Sequence, residues 1–226
     1  MRGADLLMDL AHDFKELTYI DFGSGFKVGY RPGESATDIE GFGKQMSVRF
    51  KDFCLEYGRD LKLIFEPGKF LVSEAGVFIT RVNSTKTTPS TVFAQVNSGF
   101  NHFPRPMMYD AYHHIENISN PEGEQRLYTI VGYVCETDTF GYDRKLHEVR
   151  NDDLLAFHNA GAYCSSMASQ YNSRVRPAEV LLESGQAYMI RERETMEDLL
   201  RGTVEHGLYQ DVVELRREEA EIAVPS

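Results

Sequence analysis

Leu61-Lys62-Leu63-Ile64-Phe65-Glu66-Pro67-Gly68-Lys69 is the stretch whose reading decides the fold. Leu61 to Phe65 is a short apolar run of the kind that forms a buried strand. Glu66-Pro67-Gly68-Lys69 follows directly at its end. Proline presets the turn, and glycine lets the backbone come close to a ligand. A carboxylate and a cation flank them, so the turn can hold an anionic cofactor. Taken alone, the tetrapeptide reads as an ordinary Pro-Gly turn with a surface ion pair. Its surroundings change that reading.

Toward the N-terminus the same grammar repeats. Leu6, Leu7, Leu10, Ala11, Phe14 and Leu17 share one face of an amphipathic helix. Thr18-Tyr19-Ile20-Asp21-Phe22 reads as a strand that ends in Gly23-Ser24-Gly25-Phe26. A second helix opens on Thr37-Asp38-Ile39-Glu40, which has the form of a capping box. It carries Ile39, Phe42, Met46, Phe50, Phe53 and Tyr57 at helical spacing and stops at Gly58. Helix, strand, helix, strand is the alternation of a parallel βα system. Both glycine loops then lie at the carboxyl ends of parallel strands, where such folds place ligands.

From Val77 the pattern becomes β-rich. Strands are predicted at Val77 to Val82, Thr91 to Val96, Leu127 to Cys135, Asp153 to His158, Glu179 to Leu182 and Tyr188 to Arg191. This reads as an antiparallel β-barrel or sandwich domain appended to the βα portion, an α/β plus β chain. A short helix is predicted over Thr195 to Arg201. The expected divisions are 1–78, 79–202 and a helical or frayed tail, 203–226.

Composition narrows the function. With 226 residues, a net charge of −11 and no basic cluster, the chain is a poor match for a nucleic-acid backbone. No apolar stretch approaches the roughly 20 residues of a membrane span. Three scattered cysteines, Cys54, Cys135 and Cys164, suit neither a disulfide framework nor a zinc site, and a cytoplasmic setting is expected. No metal site is predicted. His113 and His114, adjacent in a strand, point to opposite faces and make no metal pair.

Several positions have chemistry to offer. Gly23-Ser24-Gly25 can present backbone N–H groups to a phosphate, and beside the Glu66 loop it forms a phosphate cup. Arg105 and Tyr109 suit a substrate carboxylate, or make an Arg-Pro turn with a packed tyrosine. Cys135 and Glu136 end a strand, where a thiol can serve as a proton donor or as a small buried hydrophobe. Tyr171-Asn172-Ser173-Arg174 follows a small-residue corner at Asn159-Ala160-Gly161-Ala162-Tyr163.

As a set these stretches resemble the diaminopimelate decarboxylases of the alanine racemase-like (fold type III) pyridoxal phosphate enzymes. The matching pieces are Gly23 to Phe26, Glu66 to Lys69, Arg105 to His113, Val131 to Glu136, Asn159 to Tyr163 and Tyr171 to Val180, in the right order and spacing. The resemblance covers residues 3–202. It implies the C-terminal portion of a (β/α)8 pyridoxal 5'-phosphate barrel, then the β domain. The family's cofactor-anchoring lysine and its ring-stacking histidine have no counterpart here. The chain is therefore expected to be a truncated form, inactive and without covalently bound cofactor when alone.

The resemblance also assigns roles. Gly25 and Gly68 would hold the cofactor phosphate, with Lys69 where arginine is usual, binding phosphate and substrate carboxylate. Glu66 would pair with the pyridine nitrogen. Arg105 and Tyr109 would grip the distal carboxylate of meso-2,6-diaminopimelate, and Glu136 its distal ammonium. Tyr171 would touch both cofactor and substrate. Cys135 would protonate the carbon that loses carbon dioxide, giving L-lysine. Cys135 and Glu136 come from the opposite subunit in this family, which implies a homodimer. The alternatives are a sibling basic amino-acid decarboxylase and a non-catalytic dimerisation or regulatory partner. Two departures are noted, Ser24 in place of glycine and Asn97 in place of aspartate.

Overall fold

The computed structural model describes residues 2–204. The chain forms two compact units, Met1–Asn172 and Ser173–Ser226.

The first unit begins with α1 (Arg2–Ala11), β1 (Tyr19–Asp21), α2 (Ile39–Tyr57) and β2 (Lys62–Ile64). Asp38 caps α2, its carboxylate accepting from Gly41 N–H at 2.9 Å. The cap thus falls one residue after the expected Thr37. Gly58 closes the helix in the left-handed region, φ 78°, and donates to Cys54 and Leu55 carbonyls. Met46, Phe50 and Phe53 pack with Met8, Ala11 and Ile20 into one core. The apolar face predicted for α1 is only partly used. Its helix stops at Ala11, and Leu6, Leu10 and Phe14 are 72%, 54% and 55% exposed.

β1 and β2 are parallel, with Ile20 opposite Leu63. The ladder continues past both strands: Phe22 N–H bonds Ile64 O at 3.0 Å, and Glu66 N–H bonds Gly23 O at 2.7 Å. That last bond ties one glycine loop to the other.

After α3 (Lys69–Val72) and a single 3-10 turn comes a mixed six-stranded sheet. Its strands are β3 (Phe78–Thr87), β4 (Val92–Val96), β5 (Ile115–Asn117), β6 (Gln125–Val131), β7 (Thr139–His147) and β8 (Leu154–Phe157), with α4 (Arg105–Tyr109) before β5. The order is β5-β8-β3-β4-β6-β7. The edge strands β5 and β7 neighbour each other, so the sheet is nearly closed. Val82, Val96, Phe103, Ile130, Phe140, Leu155 and Phe157 fill its interior. A large apolar side chain buried this way contributes roughly 1.5–3 kcal/mol.

The sheet departs from the antiparallel expectation at one pairing, for β4 and β6 run parallel. Parallel neighbours need a long crossover, and α4 with β5 supplies it. The consequence is local and important. The segments leaving β4 and β6 emerge at the same end, so residues 97–101 meet residues 132–138.

The second unit has its own small hairpin, β9 (Glu179–Glu183) and β10 (Gln186–Arg191). Ser184 and Gly185 turn it with φ of 51° and 78°, the positive pair a two-residue hairpin turn prefers. A short helix, α5 (Met196–Leu199), follows, with Thr195 and Asp198 as a reciprocal capping box. The expected helical tail, 203–226, lies outside the described residues beyond Val204.

Candidate active site

The predicted site residues fall into two clusters. The first gathers on the parallel strand ends. Gly25 has φ 119°, and none of the described residues comes within 4 Å of where its Cβ would stand. Gly68 adopts φ 38°, and a Cβ there would stand 3.0 Å from the Tyr163 hydroxyl oxygen. A side chain at Gly68 would be strained by the backbone and crowded by that phenol. Tyr163 is brought there by the small-residue corner. Ala160 N–H bonds Gly76 O at 2.8 Å, and Gly161 N–H bonds Ser73 O at 3.0 Å, just past α3. Glu66 is exposed beside the glycine loop, and Lys69 is half-buried with Nζ 5.6 Å from the centre of the Tyr30 ring.

Tyr30 links this turn to Arg105. Its loop is clipped by Glu34, whose carboxylate accepts from Tyr30 N–H at 3.0 Å and Arg31 N–H at 3.1 Å. The Lys27 ammonium, 2.6 Å away, and those two amides hold the Glu34 carboxyl down to about 2. Asn159 Nδ2 ties the loop to the sheet through Gly29 O at 3.1 Å. Arg105 Nη2 then reaches the Tyr30 hydroxyl at 3.4 Å. The Arg105 guanidinium carbon lies 5.9 Å from the Tyr109 ring centre and 5.7 Å from that of Tyr163. α4 is a helix where the sequence reading had a turn, and it keeps Arg105 and Tyr109 one turn apart on one face.

His113 backs this cluster from the core. It is fully buried, with its ring centre 4.5 Å from that of Phe103. Burial pushes its pKa down to about 4, and the Arg105 and Arg144 charges add to that, while its bond to the His158 carbonyl opposes it. The folded state therefore takes up this proton later than the unfolded chain does on acidification. The stability that the neutral ring carries is complete above the ordinary histidine value and is lost as pH falls from about 6.5 toward 4. Roughly 3 kcal/mol of stability is at stake over that range, from ~1.4 kcal/mol per pKa unit. Thermal melts between pH 7 and pH 4 are expected to show this fall, and His113→Phe to flatten it.

The second cluster sits where β4 and β6 end. β6 stops at Val131, so Cys135 and Glu136 lie on a loop and not on the expected strand. Asp138 builds that loop. Its carboxylate accepts from Phe100 N–H at 2.7 Å and Val134 N–H at 2.9 Å, and its own carbonyl accepts from Gly132 N–H at 2.7 Å. Tyr133 N–H bonds Ser98 O at 3.0 Å, locking the loop to the outgoing β4 segment. Cys135 Sγ donates to Glu136 Oε2 at 3.5 Å, and Tyr171 Oη donates to Glu136 Oε1 at 2.5 Å. The Tyr171 bond holds the Glu136 carboxyl below the usual range and pushes the tyrosine up. This cluster thus offers a thiol, a persistent carboxylate and a phenol, all exposed.

The structure brings Gly25, Glu66, Gly68, Lys69, Arg105 and Tyr109 into one neighbourhood, and Cys135, Glu136 and Tyr171 into another. Among the described residues no hydrogen bond, ion pair or ring contact joins the two groups. His114 and His158 both bond the Glu116 carboxylate, at 3.2 and 3.1 Å. No group of three or more His, Cys, Asp or Glu able to hold a metal occurs among the described residues. No described helix is long and apolar enough to cross a membrane.

Tyr30, Tyr163 and Asp138 are not singled out in sequence, and His113 is read there only as half of a histidine pair in a strand, whereas β5 begins at Ile115. Tyr163 and His113 stand inside quoted motifs, and Asp138 lies two residues after Glu136, so nearness to a motif was the available signal. Asn97 gains an explanation. Its Oδ1 accepts from Thr80 Oγ1 at 2.7 Å and Arg81 N–H at 2.9 Å, a task that needs an acceptor and not a charge.

Comparison with known proteins adds a consistent result. Residues 19–161 match the family model described as pyridoxal-dependent decarboxylase, C-terminal sheet domain. The chain is 44% identical to the diaminopimelate decarboxylase of Methanothermobacter thermautotrophicus over 210 residues, 89% of this chain and 49% of that protein. It is 40% identical to the Escherichia coli K12 diaminopimelate decarboxylase over 199 residues, 82% of this chain and 47% of that protein. A crystal structure of a diaminopimelate decarboxylase superposes with TM-score 0.79 at 36% identity, covering 88% of this chain and 50% of the other. The M. jannaschii diaminopimelate decarboxylase in complex with L-lysine gives 0.77 at 33% identity, covering 90% and 46%. The chain spans about half the length of the curated relatives it matches.

Proposed function

The chain belongs to the pyridoxal-dependent decarboxylase family, and from that premise we propose that it contributes to decarboxylation of meso-2,6-diaminopimelate to L-lysine and carbon dioxide. The observation that carries this is the 2.7 Å bond from Glu66 N–H to Gly23 O. It sets two glycine loops, a carboxylate and a cation side by side at the ends of parallel strands. In this reading residues 1–78 are the C-terminal part of a (β/α)8 barrel and 79–202 are the β domain.

The residues present fit pyridoxal 5'-phosphate. The positive φ at Gly25 and the tight turn at Gly68 suit a phosphate approached by backbone, with Lys69 adding positive charge. Glu66 would accept a hydrogen bond from the ring nitrogen and keep it protonated. Bound cofactor supplies the electron sink that lets carbon dioxide leave. Arg105 and Tyr109 hold the distal carboxylate, and Tyr30 and Tyr163 shape the guanidinium's surroundings. Glu136, kept anionic by Tyr171, takes the distal ammonium. Tyr171, bonded to Glu136, would contact substrate and cofactor. Cys135 delivers its thiol proton to the carbon that has lost the carboxylate.

Among the described residues Cys135 and Glu136 share no hydrogen bond, ion pair or ring contact with Arg105 or Lys69, which supports a reading in which each site is completed by the loop of a second subunit in a homodimer. The test is a substrate panel on the cofactor-loaded holoenzyme that contains this chain. Carbon dioxide and L-lysine are expected from meso-diaminopimelate, with ornithine and arginine turned over far more slowly. Preference for a substrate without a distal carboxylate would refute the reading.

A further inference from the structure

Arg105 is oriented by an unusual acceptor. His113 Nδ1 lies 2.8 Å from the His158 carbonyl oxygen, and His113 Nε2 lies 3.4 Å from Arg105 Nε. A carbonyl only accepts, so Nδ1 carries the proton. In a neutral ring Nε2 is then a lone pair, and arginine Nε–H only donates. The two contacts agree on one tautomer. Phe103 and the Tyr30 ring, centred 4.5 Å and 5.3 Å from the imidazole, close the pocket around it.

We propose that His113 is a positioning residue for Arg105, its tautomer set by the His158 carbonyl so that Nε2 takes up Arg105 Nε–H and leaves the outer nitrogens to a substrate carboxylate. The inference rests on the reading of Arg105 as the distal-carboxylate grip. It adds a geometric restriction. An arginine with Nε–H free can bind a carboxylate side-on through Nε and one Nη. With Nε–H engaged, only end-on approach through Nη1 and Nη2 remains, and Tyr30 Oη restrains Nη2 from one side. A charged imidazole would abolish the lone pair and repel the guanidinium. Among the described residues the Arg105 and Arg144 charges act on it and both disfavour that charge, and the Tyr30 phenol packs against its ring.

The roles separate in steady-state kinetics on the holoenzyme. His113→Phe keeps the ring volume and removes the acceptor, and is expected to raise KM for meso-diaminopimelate roughly tenfold with kcat little changed. His113→Gln keeps one donor and one acceptor and is expected to recover most of that loss. A merely structural residue would give equal losses in Phe and Gln variants, or a fall in kcat with KM untouched, and either result overturns the proposal. If Arg105→Met raises KM and His113→Phe does not, the inference fails while the reading of Arg105 stands. If Arg105→Met leaves KM unchanged, both fall. Should the Phe variant not fold, 15N spectra of the histidines decide. The expected signature is one imidazole with Nδ1 protonated and Nε2 bare from pH 7 to pH 5. An Nε2-protonated or doubly protonated His113 over that range contradicts the proposal.

Discussion

Arg105→Met in the holoenzyme is expected to lower kcat/KM for meso-diaminopimelate roughly hundredfold, chiefly through KM. The guanidinium makes charge-assisted bonds, each worth about 1.5–3 kcal/mol when a partner is removed. A loss of ~3 kcal/mol corresponds to a factor of about 150 in affinity. Methionine fills the stem's volume against Tyr109 and Tyr163 without replacing the charge, so packing is spared. Steady-state kinetics give the answer. Unchanged KM would place the distal carboxylate elsewhere and remove the specificity argument.

Cys135→Ala is expected to act on the other constant. A positioned proton donor contributes typically 10²–10⁴-fold, so kcat should fall by about three orders of magnitude while KM moves little. The loop should survive the change, because Asp138 holds it through Phe100, Val134 and Gly132 and not through the thiol. A variant with wild-type kcat would assign the proton to another group. Cys135→Ala with raised KM and intact kcat would make the residue a binding contact.

The parallel strand pair and its two glycine loops were legible in sequence, since helical and strand periods alternate cleanly from Leu6 to Phe65. The left-handed stop at Gly58 was legible for the same reason, as glycine tolerates that φ. β7 has no clear sequence signal because Thr139 to His147 carries Asp143, Arg144 and Lys145 in a row, and its only buried large apolar side chains are Phe140 and Leu146. The parallel pairing of β4 with β6 has no local signature at all. It depends on a crossover of distant residues, and with it went the surroundings of Cys135.

The candidate site shows the same division. Arg105, Glu66 and Cys135 stood out because charge and chemistry mark them where they stand. His113 and Asp138 act through partners about 40 residues away, His158 and Phe100 respectively, and such pairings become visible only in the folded chain. Tyr171 takes its role from the resemblance, and the structure bonds it to Glu136 and sets its ring 4.9 Å from that of Phe100.

The central claim is that one chain's Cys135 loop completes another chain's Arg105 site. The direct measurement mixes two inactive holoenzymes, Arg105→Met and Cys135→Ala, lets the subunits exchange, and assays carbon dioxide release. In a two-fold dimer with shared sites, each hybrid holds one site with both wild-type groups, and equal mixing restores about a quarter of wild-type activity. Activity that stays at the level of the separate variants after proven exchange would mean both groups serve one chain's own site, and the shared-site account would be wrong.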